Sequence, residues 1–193
     1  VVQDWGGLIG LGVLGKHPEL FKRVVILNTS LPVGNRPMPL PFKLWQLFAT
    51  YWPTFPISRI MRFGTYRTIH KDVMRGYLAP FPNAKYKAGA RAWPALVPSG
   101  PLDPGVKQMK RAREALSNWQ KPALILFSDK DPVLKGADRW FRKNIPSVQN
   151  EPVIVIEKAG HFLQEDKGPE IAQHIQEFIQ RTAGKAEAPA AAE

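Results

Sequence analysis

The chain is 193 residues long, carries a net charge of +11, is 44% hydrophobic and contains no cysteine. A chain of this length and hydrophobicity can bury one sizeable core, so an intrinsically disordered protein is excluded. The lack of cysteine excludes a disulfide framework, a zinc ribbon and thiol catalysis, and it is typical of a reducing compartment. No run of 18 apolar residues and no secretory leader is visible, so we expect no membrane span.

The excess of positive charge would permit attraction to nucleic acid or to anionic lipid. However, the lysines and arginines are scattered along the chain and do not form one dense run with stacking aromatic residues. We interpret them as a solvated basic surface and expect no nucleic-acid or membrane partner. The chain starts at Val1, without a methionine and already inside an apparent strand, so we expect a missing upstream segment. A cytoplasmic location is expected, and periplasmic export stays open.

Short apolar runs rich in β-branched residues predict buried parallel strands at residues 23–28, 122–127 and 152–157. Val1 and Val2 resemble the end of a fourth strand. Helical patterns follow or separate these runs at 6–16, 136–144 and 169–182. The alternation of strands and helices predicts an α/β fold with a mostly parallel sheet flanked by helices.

The segment between residues 32 and 104 differs in composition from the rest of the chain. It holds 12 of the 19 prolines, all four tyrosines and three of the six tryptophans. Helical stretches at 42–51, 57–63, 70–78 and 84–96 predict an all-helical insertion that serves as a lid. We therefore predict a core at 1–31, a helical cap at 32–104, a second core segment at 105–182 and a disordered tail at 183–193.

The first candidate for chemistry is Asp4, in the run Gln3-Asp4-Trp5-Gly6-Gly7. This run follows an apolar strand end and precedes a glycine-rich helix, as in a nucleophile elbow. An aspartate at the elbow can attack an alkyl carbon and form an ester that water later cleaves. The alternative is that Asp4 simply caps the following helix, because a carboxylate there satisfies free N–H groups.

Three glycines of that helix, Gly10, Gly12 and Gly15, match the G-x-G-x-x-G pattern of dinucleotide-binding proteins. In that motif the first glycine directly follows a strand and an acidic residue ends the next strand. Here the glycines lie in the middle of a helix, and the next strand ends in Asn28. We therefore expect no nicotinamide or flavin cofactor.

A histidine and two aspartates follow later strands of the predicted sheet. His161 lies on the loop after the strand at 152–157, at the edge where open α/β sheets carry their active sites. Asp131 follows the strand at 122–127 and is suited to orient a histidine base. Asp129 competes with Asp131 for this role, and either residue could instead form a turn. The order nucleophile, acid, histidine is the one expected of an α/β-hydrolase.

With these residues in these positions, the sequence resembles the haloalkane dehalogenases of the α/β-hydrolase superfamily. The resemblance extends to about Thr182 and depends on four stretches taken together: VVQDWGG at 1–7, YLAPFPNAKYKAGARAWP at 77–94, FSDKDPV at 127–133 and AGHFLQED at 159–166. It implies an α/β-hydrolase fold with an inserted all-helical cap whose N-terminal strands are missing here.

The resemblance also implies roles for particular residues. Asp4 would be the nucleophile, His161 the base and Asp131 its orienting acid, with no metal and no cofactor. Trp5 and the cap residue Trp45 would bind the halide through their indole N–H groups, with Trp52 as the fallback. Three apolar residues would line the substrate pocket: Phe42, Phe81 and Pro82. The implied partners are a small apolar haloalkane, water and a halide ion, and the complete protein would be a monomer.

Two other functions stay open from the sequence. An epoxide hydrolase has the same fold and nucleophile and polarises its substrate with cap tyrosines, and this chain has tyrosines in the cap. Gln3 and the pair Trp5 and Trp45 favour halide over epoxide. A non-catalytic binding protein of the same fold is the second alternative, because an intact triad does not guarantee turnover. We also expect these 193 residues alone to fold poorly and to be inactive.

Overall fold

A computed structural model describes residues 1–35, 37–52, 54–149 and 151–184. Its centre is a parallel sheet of three strands in the order β1 (Val24–Leu27), β2 (Ala123–Ser128) and β3 (Ile154–Ile156). Val2 adds a parallel bridge to Ile26 of β1. Each predicted strand is present within two residues of its predicted bounds, and the parallel α/β architecture is confirmed. Because the segments are parallel, the loops that follow them meet at one edge of the sheet.

Eight α-helices accompany the sheet in the described residues: α1 (Trp5–Lys16), α2 (Leu40–Tyr51), α3 (Ile57–Gly64), α4 (Lys71–Leu78), α5 (Ala88–Ala92), α6 (Val106–Ser117), α7 (Asp138–Asn144) and α8 (Leu163–Arg181). Single 3₁₀ turns lie at Pro18–Leu20, Ala84–Lys87, Trp93–Leu96 and Pro146–Val148. Between residues 32 and 104, which we call the cap segment, the described residues form helices and loops only. Of the predicted disordered tail at 183–193, residues 185–193 lie outside the described residues.

Strands β1 and β2 are buried on both faces, which explains why they read as continuous apolar runs, whereas Val155 of β3 is exposed. Val24 and Ile26 belong to a cluster with α1, α6 and α7, whereas Val25 and Leu27 pack on the opposite face with α8. The cap segment has a separate apolar cluster: Ala49, Phe55, Ile57, Met61 and Met74. None of the described helices combines the length and the apolar character that crossing a bilayer requires.

Helix α6 was not among the predicted helices, although most of its buried side chains belong to the apolar cluster on one face of the sheet. Its buried residues Val106, Met109, Ala112 and Leu116 recur at intervals of three or four, as on one face of a helix. Charged residues fill the positions between them and hide this periodicity. Three of the basic side chains interpreted as scattered surface charge, Lys107, Lys110 and Arg111, therefore belong to the exposed face of this packed helix.

One glycine of α1, Gly15, allows close packing between two helices. A Cβ atom at Gly15 would lie 2.7 Å from the backbone of Ala112 in α6. That distance is shorter than any normal carbon contact, so only glycine allows the two helices to approach this closely. The last glycine of the G-x-G-x-x-G match thus has a structural explanation in helix packing.

Helix α8 begins earlier than predicted. The sequence predicts a start at Pro169, because the apolar residues that share one helical face begin at Ile171. The structure has one further turn before it, starting at Leu163, and a kink at Lys167 (φ −140°, ψ 31°) separates this turn from the rest. The extra turn follows the His161 loop directly, so its side chains lie next to the candidate site.

Candidate active site

Asp4 occupies a sharp turn between the Val2 bridge and α1. Its backbone has φ 47° and ψ −124°, a conformation that is rare for residues other than glycine. The turn is held on both sides, because the Asp4 N–H donates to the Asn28 carbonyl (2.8 Å) and the Asp4 carbonyl accepts from Thr29 Oγ1 (2.7 Å). Such strain costs about 1–3 kcal/mol and is found mainly at functional sites.

Gly7 makes this turn possible. A Cβ atom at position 7 would lie 1.9 Å from Thr29 Oγ1, the same hydroxyl that bonds to the Asp4 carbonyl. Any larger residue would push Thr29 away and release the turn. The second glycine of the Gly6-Gly7 pair therefore supplies the close approach that the sequence pattern predicted for an elbow.

The Asp4 carboxylate does not cap α1. Asp4 is the residue before the helix, yet its side chain makes no capping hydrogen bond. Instead Asp4 Oδ1 lies 3.4 Å from His161 Nε2, and the Asp4 side chain is 42% exposed. The geometry thus disfavours the helix-cap alternative and leaves the carboxylate accessible beside the imidazole.

His161 contacts a second carboxylate on its other nitrogen. His161 Nδ1 lies 3.0 Å from Asp131 Oδ2, and Asp131 Oδ1 accepts hydrogen bonds from the N–H groups of Val133 (2.7 Å) and Leu134 (3.0 Å). Asp129, the competing acid, instead accepts from the Ala159 N–H and pairs with a neighbouring lysine. The structure therefore places Asp131, and not Asp129, where it can orient the imidazole.

The imidazole of His161 interacts electrostatically with the carboxylates of Asp4 and Asp131. Burial lowers the pKa of His161, but the hydrogen bonds and charges of Asp131 and Asp4 outweigh burial and raise it from 6.5 to about 9. Burial alone would raise the pKa of Asp131. The hydrogen bond to His161, the charge of His161 and two backbone N–H groups outweigh burial and hold this pKa below its usual range. Both neighbouring aspartates therefore favour the protonated form of the imidazole.

We expect removal of either carboxylate to lower the pKa of His161. Asp4→Asn removes one of the two charges that favour the imidazolium, and Asp131→Asn, which removes the stronger hydrogen bond, should lower the pKa further. An NMR titration of the His161 ring protons against pH measures both shifts. An unchanged titration midpoint in Asp131→Asn would contradict the geometry described here.

Core side chains also hold the backbone of the histidine loop. The His161 carbonyl accepts from Gln3 Nε2 (3.1 Å) and Asn28 Nδ2 (3.3 Å), while the Gly160 carbonyl accepts from Asn28 Nδ2 (3.1 Å) and Ser128 Oγ (2.7 Å). The sequence reasoning did not assign these positioning contacts. Their position in the chain was the signal: Gln3 precedes the candidate nucleophile, Asn28 directly follows β1, and Ser128 ends β2.

The tryptophans predicted to bind halide lie in two separate ring clusters. The Trp5 ring packs edge-on against Trp93, with centroids 4.5 Å apart. Trp45 stacks on Phe48 and contacts Phe55 in the cap cluster. The fallback, Trp52, is half exposed. Trp93 was not predicted to bind halide, although it lies in the 77–94 stretch that carries the resemblance.

The predicted pocket residues differ in their surroundings. Phe42, the third residue of α2, is half-buried. Phe81 packs partly against the cap cluster, and Pro82 is exposed. Within the described residues, no group of three or more acidic, histidine or cysteine side chains is placed to hold a metal ion. Direct chemistry by the Asp4, His161 and Asp131 side chains is what this arrangement can perform.

Comparison with known proteins identifies the family. Residues 1–174 match the family model described as the alpha/beta hydrolase family, so the chain belongs to that family. The predicted fold class is thereby confirmed. Both the parallel sheet and the placement of an elbow, an acid and a histidine in chain order agree with this membership.

The named relatives narrow the resemblance. The chain is 45% identical over 174 residues to a haloalkane dehalogenase of Mycolicibacterium paratuberculosis, covering 90% of this chain and 58% of the relative. It is 43% identical over 177 residues to a haloalkane dehalogenase of Psychrobacter cryohalolentis, covering 92% and 58%. A cis-3-alkyl-4-alkyloxetan-2-one decarboxylase of Xanthomonas campestris is 30% identical over 190 residues, covering 93% and 62%. The chain thus spans less than two thirds of these relatives.

A solved structure supports the same comparison. The haloalkane dehalogenase DpaA of Paraglaciecola agarilytica, described as tetrameric, superposes with a TM-score of 0.80 at 31% identity, covering 90% of this chain and 57% of that one. The resemblance to haloalkane dehalogenases drawn from four sequence stretches is therefore confirmed.

Proposed function

We propose that the protein containing this chain is a haloalkane dehalogenase, which hydrolyses a carbon–halogen bond to an alcohol and a halide ion. One observation carries the proposal: an exposed aspartate on a strained elbow lies 3.4 Å from an imidazole that a buried aspartate orients. A carboxylate at this position forms an alkyl ester when it attacks an sp³ carbon. The identities of 43–45% to dehalogenases over most of this chain support the same reaction.

In the first stage, Asp4 Oδ attacks the carbon that bears the halogen. A carbon–oxygen bond forms, the carbon–halogen bond breaks, and the halide leaves with the bonding electron pair. Asp4 is the reacting side chain in this stage, and no proton is transferred. Apolar side chains around the carboxylate, for which Phe42, Phe81 and Pro82 are the candidates, would exclude water and leave it more reactive.

In the second stage, water attacks the ester carbonyl of Asp4 while His161 accepts the proton. Esterification removes the negative charge of Asp4, which is one of the causes that raise the pKa of His161. The imidazole then loses its proton more readily and becomes a base. The tetrahedral intermediate collapses to release the alcohol and restore the carboxylate. The backbone N–H of Trp5, the residue after the nucleophile, is the candidate donor to the oxyanion.

The halide would leave against indole N–H groups, which donate a hydrogen bond but carry no charge. We keep Trp5 as the first of these groups because it adjoins Asp4. For the second, Trp45 is the residue implied by the resemblance, whereas Trp93 is the residue whose ring contacts Trp5. Closure of the cap over a bound substrate would decide between them.

Quenching of tryptophan fluorescence by bromide distinguishes these candidates. We expect bromide to bind the unaltered protein and Trp5→Phe to weaken that binding about tenfold, because one hydrogen bond to an anion is lost. Trp45→Phe and Trp93→Phe are compared under identical conditions, and the second halide residue is the one whose replacement weakens binding by a similar factor. Unchanged bromide affinity in Trp5→Phe would remove Trp5 from the halide site.

Two other reactions use a related site and give different products. An epoxide hydrolase would convert an epoxide to a diol with the help of cap tyrosines, and a cis-β-lactone decarboxylase, like the Xanthomonas relative, would release carbon dioxide and an alkene. The lower identity of 30% to that relative, against 45% for the dehalogenase, favours the dehalogenase reaction.

The experiment uses the complete gene product that contains these 193 residues, with Asp4→Asn as the inactive control. A short bromoalkane, an epoxide of matched chain length and a cis-disubstituted β-lactone are supplied separately, and halide, diol and alkene are measured. We expect halide and alcohol from the bromoalkane. Diol or alkene formation without halide release would replace the proposed function by the corresponding alternative.

The monomeric state expected from the sequence stays a prediction, since the Paraglaciecola protein is described as tetrameric. Light scattering of the complete gene product measures its mass directly. A mass of four chains would contradict the prediction.

A further inference from the structure

The first turn of α8 carries a buried carboxylate whose hydrogen-bond partners come from two distant parts of the chain. Asp166 is 3% exposed. Its Oδ2 accepts from the Gly160 N–H (2.8 Å) and the Tyr66 N–H (2.8 Å), and its Oδ1 accepts from the Arg67 N–H (2.7 Å). The carboxylate therefore joins the histidine loop to the connection between α3 and α4 of the cap segment.

The residue on the other side of His161 is held by the same connection. The Phe162 N–H donates to the Gly64 carbonyl (2.9 Å), and the Phe162 ring packs partly against the cap cluster. Gly160 lies so close that a Cβ atom there would be 2.5 Å from the Gly64 carbonyl oxygen. Both neighbours of the candidate base are thus fixed to residues 64–67, which we call the cap hinge.

Asp166 makes the strongest of these links. A buried carboxylate that accepts three N–H groups forms charge-assisted bonds, which are roughly twice as strong as neutral ones. These bonds replace the hydration that the charge loses on burial, so the donors cannot leave without exposing an unpaired buried charge. The positions of the cap hinge and of the Gly160 backbone are consequently coupled through one side chain.

We propose that Asp166 is a positioning residue that sets the place of His161 relative to Asp4 by tying the histidine loop to the cap hinge. This inference rests on the proposed dehalogenase function. In this proposal Asp166 acts on the second stage alone. Displacement of the halide requires the Asp4 carboxylate, whereas hydrolysis of the ester requires His161 to hold a water against the ester carbonyl. A base displaced by about 1 Å loses a large part of its effect.

The test is Asp166→Asn in the complete gene product, with a bromoalkane in single turnover. Asparagine keeps the size of the side chain but has one acceptor oxygen, and its NH₂ group faces an N–H donor. We expect the first-stage release of bromide to stay within about twofold of the unaltered protein and the decay of the alkyl ester, followed by intact mass, to slow by about tenfold to hundredfold. Equal slowing of both stages, or unchanged decay, would overturn the proposal.

Tyr77→Phe is the matched control. The Tyr77 hydroxyl donates to Glu165, the residue next to Asp166, so it also links the cap segment to α8 but does not bond to the histidine loop. We expect both stages to stay within about twofold of the unaltered protein in this variant. Slow ester decay in Tyr77→Phe equal to that in Asp166→Asn would show that any loss of a cap contact suffices, and would overturn the specific role of Asp166.

Amide hydrogen exchange tests the same coupling in the unaltered protein, without substrate and without a variant. In the unaltered protein we expect the Gly160 and Arg67 amides to exchange in one shared opening event, because they bond to the same carboxylate. Exchange of Gly160 more than about tenfold faster than that of Arg67 would contradict the coupling. If the unaltered protein releases no bromide, the proposed function fails, and this exchange result still decides whether Asp166 couples the two segments.

Discussion

Replacing Asp4 by asparagine is expected to abolish halide release, by about four orders of magnitude or more. The amide retains the size of the side chain but is a far weaker nucleophile than the carboxylate, so the first stage cannot proceed. Steady-state bromide release from a bromoalkane by the complete gene product measures the effect. Thermal unfolding should show the variant to be folded, because Asp4 is 42% exposed and its side chain makes no helix cap.

Asp129→Asn is the matched control for this loss. It removes a carboxylate from the same edge of the sheet, at a residue that bonds to Ala159 and Lys130 and not to His161. We expect its turnover to stay within about threefold of the unaltered protein, as is usual for substitutions outside the reacting groups. Substantial halide release by Asp4→Asn, with turnover lost in Asp129→Asn, would contradict the assignment of the nucleophile.

Replacing His161 by glutamine is expected to separate the two stages. Asp4 should still displace one equivalent of bromide, after which the enzyme stops as an alkyl ester, because the base proposed to activate the water is gone. A rapid bromide burst of one equivalent per chain, followed by a rate lower by about four orders of magnitude, is the expected time course. Intact-mass measurement should show one alkyl group on the peptide that contains Asp4.

His174→Gln serves as the control for the histidine substitution. His174 lies in α8, away from the three coupled groups, so continuous turnover is expected. Asp131→Asn should give partial trapping, because the imidazole stays but loses the carboxylate that orients it and raises its pKa. Loss of the bromide burst itself in a folded His161→Gln would mean that the histidine acts in the first stage, against the proposed mechanism.

The parallel core could be predicted from sequence because β1 and β2 are buried on both faces. The run Val24 to Leu27 is entirely apolar, and the structure buries all four residues. The proximity of the three candidate side chains could also be predicted, since each follows a parallel segment and the ends of such segments share one edge. The structure brings Asp4, His161 and Asp131 together, whereas their catalytic roles stay a proposal.

Other features depend on contacts that the local sequence does not contain. The periodicity of α6 was hidden by its charged positions, and the first turn of α8 was hidden by Pro169, which marks a helix start without excluding an earlier turn. The link from Asp166 to the cap hinge joins residues about one hundred positions apart. The choice between Asp129 and Asp131 likewise required the direction of the side chains, which sequence spacing leaves open.

The most direct measurement of the covalent mechanism is a single turnover of a bromoalkane in water enriched in ¹⁸O, with enzyme in excess. If Asp4 forms an ester and water attacks its carbonyl carbon, the alcohol retains an oxygen from the Asp4 carboxylate. We therefore predict unlabelled alcohol and one ¹⁸O atom in the peptide that contains Asp4. Alcohol carrying ¹⁸O, with an unlabelled peptide, would show direct attack by water and contradict the role of Asp4 as nucleophile.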